Sequence, residues 1–256
     1  MSDRTGPAYA VIVAAGSSER MGGVDKILTP LLGRPLLAWP LRACSLCEDI
    51  EGIVVVAAAS TIERVRTLIK DWRFDRVKAV VEGGASRQDS VRAGIEAAEG
   101  ARIVAVHDAA RPLVTPELFS EGIALAREAG AAICAVRARD TVKDVVGDLP
   151  VVRATMDRSR TWLAQTPQVF ERELLLEAHR QAEPSATDDP VAVAGAINRA
   201  LAAHSRAEGA ATDDAALVEA TGHAVRVYEG GAWNLKVTEP EDLLAAEALL
   251  RARFGR

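Results

Sequence analysis

Short apolar, mostly β-branched runs alternate with stretches of helical periodicity, and this alternation constrains the fold more than any other feature. Tyr9–Ala14, Gly52–Ala58, Val77–Val81, Arg102–Val106 and Ala131–Val136 read as strands. Leu36–Cys47, Thr61–Trp72, Gln88–Ala98 and Pro116–Glu128 read as the helices between and after them. The second of these opens on a Ser60/Thr61 cap with Glu63 following, and the fourth carries Pro near its first turn. Near-continuous apolar strands separated by helices imply a parallel sheet covered on both faces, hence an α/β fold. With 256 residues, 49% hydrophobic and only 4% aromatic, the chain is long enough for one α/β domain whose core is Ala, Val, Leu and Ile.

The pattern changes after residue 136. Thr141–Val146 and Val151–Thr155 flank the turn signal Gly147-Asp148-Leu149-Pro150 and read as a hairpin arm at about 140–160. A short run at Trp162–Gln165, helices at Glu171–Gln181 and Asp213–Thr221, a strand at Val225–Tyr228 and a closing amphipathic helix at Pro240–Arg251 follow. Segment 182–211, rich in Ala, Pro, Ser and Asn, reads as a surface insertion in a single domain spanning 1–256.

A net charge of −5 argues against a broad basic surface for nucleic acid. No apolar run reaches bilayer length, and Met1–Gly6 lacks a signal-peptide pattern. A cytoplasmic protein is expected. Three cysteines do not make a disulfide framework. The Cys44/Cys47 pair lacks two further ligands at zinc spacing, so inert structural thiols are expected.

Three clusters follow strand ends, where open α/β sheets bind ligands. The first is Ala14-Ala15-Gly16-Ser17-Ser18-Glu19-Arg20, running on to Lys26. Small residues let backbone amides approach an anion, and Arg20 and Lys26 add fixed cations, so a polyphosphate site is expected. Neither GxxxxGK[ST] nor GxGxxG is present, which disfavours a P-loop kinase or an NAD dehydrogenase. The second cluster is Glu82-Gly83-Gly84-Ala85-Ser86-Arg87-Gln88-Asp89-Ser90-Val91, in which Ser86 also reads as an ordinary helix cap. The third is His107-Asp108-Ala109-Ala110-Arg111-Pro112. Asp108 there can hold Mg²⁺ or orient a ligand, or cap a helix or pair with a loop cation. Arg111 can clamp a phosphate. His107, with no second histidine at metal spacing, reads as a packed or hydrogen-bonded loop residue.

These clusters, with Asp140-Thr141-Val142-Lys143, Asp157-Arg158, Gln165-Thr166-Pro167-Gln168-Val169-Phe170, Thr212-Asp213-Asp214-Ala215 and Asn234-Leu235-Lys236-Val237-Thr238, occur in order over nearly the whole chain. The ordered set resembles the 2-C-methyl-D-erythritol 4-phosphate cytidylyltransferases. The resemblance implies a Rossmann-like nucleotidyltransferase fold with a mostly parallel sheet and a protruding β-arm that forms a homodimer. It implies an enzyme of non-mevalonate isoprenoid synthesis that uses CTP, a polyol phosphate and Mg²⁺ and releases pyrophosphate.

Carried over by position, Arg20 and Lys26 match stabilisers of the triphosphate, and Arg158 and Lys236 also fall at catalytic positions. Ala14, Ala15, Gly16, Gly84 and Ser90 match nucleotide contacts. Asp108, Arg111, Thr141, Arg158, Thr166, Thr212 and Lys236 match acceptor contacts, with Asp108 close to a metal held mainly by the CTP phosphates and Arg158 reaching a neighbouring subunit. The chain departs from the pattern at Val24-Asp25, where many members have Pro before the lysine, and at Ala85, where some have Asp. Ala-Thr-Asp-Asp occurs at 186–189 and 211–214; the following Ala215-Ala216-Leu217-Val218-Glu219 favours the second copy.

The motifs contain no nucleophile–base pair, which fits an acceptor that is already anionic. A ribitol 5-phosphate cytidylyltransferase and a sugar-nucleotide pyrophosphorylase for another base are the competing enzyme readings. A non-catalytic nucleotide-binding regulatory protein is the reading from a different class.

Overall fold

The computed structural model describes residues 5–16, 25–147, 149–182 and 213–255. Arg20, Thr212 and nearly all of the expected insertion lie outside them. The strands are β1 (Ala8–Ala14), β2 (Pro30–Leu31), β3 (Arg34–Pro35), β4 (Ile50–Ala57), β5 (Val77–Glu82), β6 (Ile103–Asp108) and β7 (Ala131–Arg137). They continue with β8 (Lys143–Val146), β9 (Val151–Thr155), β10 (Trp162–Glu171) and β11 (Arg226–Glu229). The helices are α1 (Ala38–Leu46), α2 (Ile62–Asp71), α3 (Arg87–Ala97), α4 (Pro116–Ala129), α5 (Arg172–Ala182), α6 (Asp214–Ala220) and α7 (Pro240–Phe254).

A seven-stranded sheet has the order β11-β7-β10-β6-β1-β4-β5. Alternate residues of its strands enter opposite cores, the consequence of a period of two. Ala10 and Ile12 with Ile53 and Val55 pack under α1, α2 and α4, where Leu41, Val65, Phe119 and Ile123 close the layer. Val11, Val54, Val56 and Val104 face the other way, onto Val91, Ile95 and Leu175 of α3 and α5. Each fully buried Val, Leu, Ile or Phe among them contributes about 1.5–3 kcal/mol. The sheet is therefore covered on both faces, as its apolar strands imply. A third cluster, including Leu31, Leu36, Trp39 and Leu250, fixes α7 against the β2–β3 turn.

The sheet is mostly parallel, as expected, and its antiparallel member is a strand longer than the sequence suggested. The run read as Trp162–Gln165 is the start of the ten-residue β10, which lies antiparallel to both β6 and β7. Pro167, which has no N–H to give a ladder, masked its length. The β10–β7 register shifts between Ala164 and Gln168, so Gln165 and Thr166 sit at an irregularity.

Two local readings also change. The Thr61 hydroxyl donates to the Ala58 carbonyl at 3.2 Å and does not cap α2. The closing helix is not cleanly amphipathic: Ala246 and Leu250 are buried, while Leu244 is 72% exposed. The arm forms as expected, β8 and β9 pairing in their own two-stranded sheet with Val145, Val151 and Val152 exposed.

Candidate active site

The loops after β1 and β5 meet at the carboxyl edge of the sheet. A Cβ on Gly83 would collide with the Ala15 side chain and come within 2.7 Å of Ser90 Oγ. Bare backbone is therefore required there. Ser86 and Asp89 form a reciprocal capping box: Asp89 N–H donates to Ser86 Oγ at 3.0 Å, and Ser86 N–H to Asp89 Oδ2 at 3.1 Å. The capping reading of Ser86 holds. Ser90 is buried and donates its hydroxyl to Ser86 O at 2.9 Å, so it braces the same turn. Gly16 and Gly84 are exposed and Ala14 is buried at the end of β1.

Beside these loops, Asp108 closes β6 and is 8% exposed. Lys236 Nζ lies 2.8 Å from its Oδ2, and Arg87 Nε 3.4 Å from its Oδ1. Arg87 also pairs with the buried Asp214 at 2.9 Å, bridging the N-termini of α3 and α6. Burial alone raises the Asp108 pKa, but the Lys236 and Arg87 cations outweigh it and hold the carboxyl well below the usual range. Burial pulls the Arg87 guanidinium down, yet Asp214 and Asp108 together raise it above its ordinary value. The expected Asp108 and Lys236 are thus brought into direct contact.

The loop carrying Lys236 is held by three anchors. Val237 N–H donates to Ala110 O at 2.8 Å, Arg111 Nη1 donates to Asn234 O at 2.8 Å, and Lys26 Nζ reaches Val237 O at 3.4 Å. Lys26 and Lys236 therefore flank one short segment. The Arg111 Nε is buried without a hydrogen-bond partner among the described residues, a donor in reserve for an anion.

Behind this layer lies a buried polar network, in which Asn234 Oδ1 alone of that side chain's polar atoms has no hydrogen-bond partner among the described residues. Asn234 Nδ2 donates to Gln165 Oε1 at 3.2 Å and to Thr166 O at 2.9 Å. Gln168 Oε1 accepts from the backbone of Asp214 and Ala215 at 3.1 and 3.2 Å, and its Nε2 donates to Asp213 at 2.9 Å, locking α6 to β10. His107 is fully buried, and burial pushes its pKa down to about 4. Its Nδ1 lies 2.9 Å from Thr166 Oγ1 and its Nε2 3.1 Å from Arg111 O, so it is packed and hydrogen-bonded as expected, but as the penultimate residue of β6 and not in the loop beyond it.

Thr141 and Arg158 fall elsewhere, exposed on the arm, where Arg158 donates to Arg139 O at 3.0 Å. Neither bonds to the Asp108 network among the described residues. Sequence reasoning named Arg87 and Asp214 only as motif members and gave them no place in the site. Their signal is a charged residue at the first turn of a capped helix, each inside a glycine-rich or acidic motif.

Among the described residues no group of three His, Cys, Asp or Glu side chains is placed to hold a metal. Cys44, Cys47 and Cys134 are free and buried, as expected for structural thiols. Asp108 is a single carboxylate with both oxygens already paired to cations. The donor set does not form a magnesium cage of its own; it suits an ion whose remaining ligands arrive with a polyphosphate.

Amides, ammonium and guanidinium groups that converge beyond strand ends suit phosphoryl chemistry driven by alignment and charge. These features define the class as the nucleotidyltransferases. A model of the 2-C-methyl-D-erythritol 4-phosphate cytidylyltransferase family matches residues 8–197 and 193–252, and the chain belongs to that family. A relative of that name from Dehalococcoides mccartyi is 39% identical over 242 residues, covering 94% of this chain and 95% of its own length. Another, from Symbiobacterium thermophilum, is 42% identical, covering 95% and 93%. The crystal structure of the 4-diphosphocytidyl-2C-methyl-D-erythritol synthase from Anaerococcus prevotii superposes with a TM-score of 0.76 at 26% identity, covering 96% of each chain. That of the Thermus thermophilus cytidylyltransferase does so with 0.68 at 32% identity, covering 94% of this chain and 98% of its own.

Proposed function

We propose that this chain transfers CMP from CTP to 2-C-methyl-D-erythritol 4-phosphate, releasing pyrophosphate and 4-diphosphocytidyl-2-C-methyl-D-erythritol, a step of non-mevalonate isoprenoid synthesis. The observation that carries the reading is the Lys26–Val237–Lys236–Asp108–Arg87 constellation, together with the small residues at 14–16 and the glycines at 83–84, where no Cβ would fit. An acceptor phosphate oxygen attacks the α-phosphorus in line. The new P–O bond forms as the bond to the β-phosphate oxygen breaks, and the pyrophosphate leaves with that electron pair. The attacking oxygen is anionic, so the chemistry needs no base. His107, held neutral and bonded on both sides, is not placed to act as one.

Lys26, with Arg20, would counter charge on the triphosphate. Lys236 and Arg111 would orient the acceptor. Magnesium, when bound, supplies further neutralisation of the phosphates; Asp108 is the protein oxygen offered to it, with the rest coming from the nucleotide.

The arm supports a homodimer. Val145, Val151 and Val152 are 51%, 62% and 55% exposed on two short strands, and Leu149 is 85% exposed in the turn between them, an apolar surface that a second arm would cover. Arg158 and Thr141 would then serve the neighbouring subunit's acceptor site. No described helix is long and apolar enough to cross a membrane, and with the net charge of −5 this supports a cytoplasmic enzyme without nucleic-acid partners. The test is a coupled pyrophosphate assay with CTP against a panel of polyol phosphates. The methylerythritol phosphate is expected to exceed ribitol 5-phosphate, and CTP to exceed UTP and GTP. Pyrophosphate release favouring ribitol 5-phosphate would reassign the acceptor, and none with any acceptor would leave a nucleotide-binding protein.

A further inference from the structure

Lys26 and Lys236 meet on one short loop, and a single carboxylate ties that loop down. Asp242 Oδ2 accepts three hydrogen bonds: from Thr238 N–H at 2.7 Å, from the Thr238 hydroxyl at 2.8 Å and from Glu239 N–H at 2.9 Å. Capping α7 needs only the bond from Glu239, the residue before the helix. The two from Thr238 reach further back, to the second residue after Lys236. Asp242 itself rides on α7, whose Ala246 and Leu250 are buried with Leu31, Leu36 and Trp39. The loop is thus pinned to a core-anchored helix on one side and, through Val237 N–H at 2.8 Å, to Ala110 O on the other. Val237 is buried in the same cluster, while Lys236 turns to Asp108 with its side chain 40% exposed. Half-buried Lys26 joins the loop between these anchors, Nζ to Val237 O at 3.4 Å. Burial pushes the Asp242 pKa up, but its hydrogen bonds and the Lys26 charge outweigh it and hold the carboxyl below its ordinary range. The Lys26 cation therefore lies within electrostatic reach of the same carboxylate.

We propose that Asp242 is a positioning residue that sets the spacing of Lys26 and Lys236, through its three bonds to the loop on which both lysines meet. The inference rests on the reading of these lysines as phosphate-binding cations. A charge that stabilises a phosphoryl group in transfer works only in place, and a shift of about 1 Å can cost a hundredfold. Without Asp242, the Thr238 and Glu239 donors lose the oxygen they share. The segment holding Lys236 is then free to shift, and it carries with it Val237 O, the anchor of Lys26. A helix cap alone would stabilise α7 and do nothing for the lysines.

The experiment compares Asp242→Ala with Ala245→Gly in the full-length protein. Ala245 is exposed on α7, and glycine there weakens the helix without touching the loop. Both variants should lower the thermal midpoint. Only Asp242→Ala should weaken binding of inorganic pyrophosphate, by about tenfold in titration calorimetry, and lower kcat about tenfold to a hundredfold. In a Lys26→Ala background the same change should weaken pyrophosphate binding by no more than about threefold, because an effect carried through Lys26 cannot be lost twice. Equal factors in the two backgrounds, or an equal loss in Ala245→Gly, overturn the proposal and leave Asp242 a helix cap. If Asp242→Ala does not fold, Thr238→Val takes its place, since it removes one of the three donors. It should weaken pyrophosphate binding about threefold in the otherwise wild-type protein and scarcely at all beside Lys26→Ala; the same factor in both overturns the proposal as well. A wild-type protein that binds no pyrophosphate refutes the phosphate reading of the lysines, and the proposal with it. Wild-type binding that Asp242→Ala leaves unchanged refutes the role of Asp242 alone.

Discussion

Replacing Arg87 by Met isolates the part of the site that is buried most deeply. Arg87 makes two ion pairs, 2.9 Å to Asp214 and 3.4 Å to Asp108. Asp108 keeps Lys236 at 2.8 Å. Asp214, with its side chain 1% exposed, keeps no cation among the described residues. Stranding a buried charge costs about 3–5 kcal/mol, but the folded protein can retreat by protonating Asp214. At pH 7 that retreat costs about 4 kcal/mol for a carboxyl of ordinary pKa near 3.9, which sets a ceiling. The Arg87 side chain is 32% exposed, so water enters when it is removed and the loss falls to about 2–3 kcal/mol. For a chain of this length the thermal midpoint should drop roughly 5–10 °C.

The sign of the pH dependence follows from the same group. Burial pushes the Asp214 pKa up, and Arg87 is its chief opponent. Without Arg87 the folded-state pKa rises further above the unfolded value, so the folded variant holds a proton that the unfolded chain releases. Its stability is then greatest at low pH and is lost as pH rises. The gap to wild type should widen from about 1–2 kcal/mol at pH 5 to its full value at pH 7. Urea unfolding followed by circular dichroism at the two pH values measures it, and Arg87→Met/Asp214→Asn should recover most of the difference. An unchanged midpoint, or a gap equal at both pH values, would refute the reasoning.

Further outcomes are expected. Lys26→Ala should lower turnover roughly a hundredfold or more with folding intact, the scale of removing a charge aimed at developing anionic oxygen; near-wild-type turnover in a steady-state assay rejects its role. Mixed dimers of Lys26→Ala and Arg158→Ala protomers should recover one working site each, and no recovery in demonstrated heterodimers argues against a site shared through the arm. His179 is buried on α5 with neither ring nitrogen hydrogen-bonded among the described residues, and burial pushes its pKa down to about 4. The unfolded chain therefore binds a proton below about pH 6.5 that the folded chain refuses, costing about 2 kcal/mol between pH 7 and 5. His179→Leu should flatten that part of the stability profile, and an unaltered slope in urea titrations counts against it.

Local pattern determined the layered α/β architecture, because strands buried on both faces and helices buried on one carry their periods in the chain itself. Val11 and Ile12 fall into opposite cores for no reason beyond alternation. The Ser86 cap was equally legible, since a capping box closes within four residues. Arg20, Lys26 and Asp108 stood out as charges in small-residue loops after apolar runs. Only tertiary structure decided that β10 runs antiparallel and passes through Pro167, because register depends on a partner strand, not on composition. Only it joined Arg87 to Asp214, 127 residues apart, and set Lys236 against Asp108. Ion pairs between distant segments leave no local period to read. Their energies depend on how far the intervening fold removes them from water, and no stretch of sequence states that by itself.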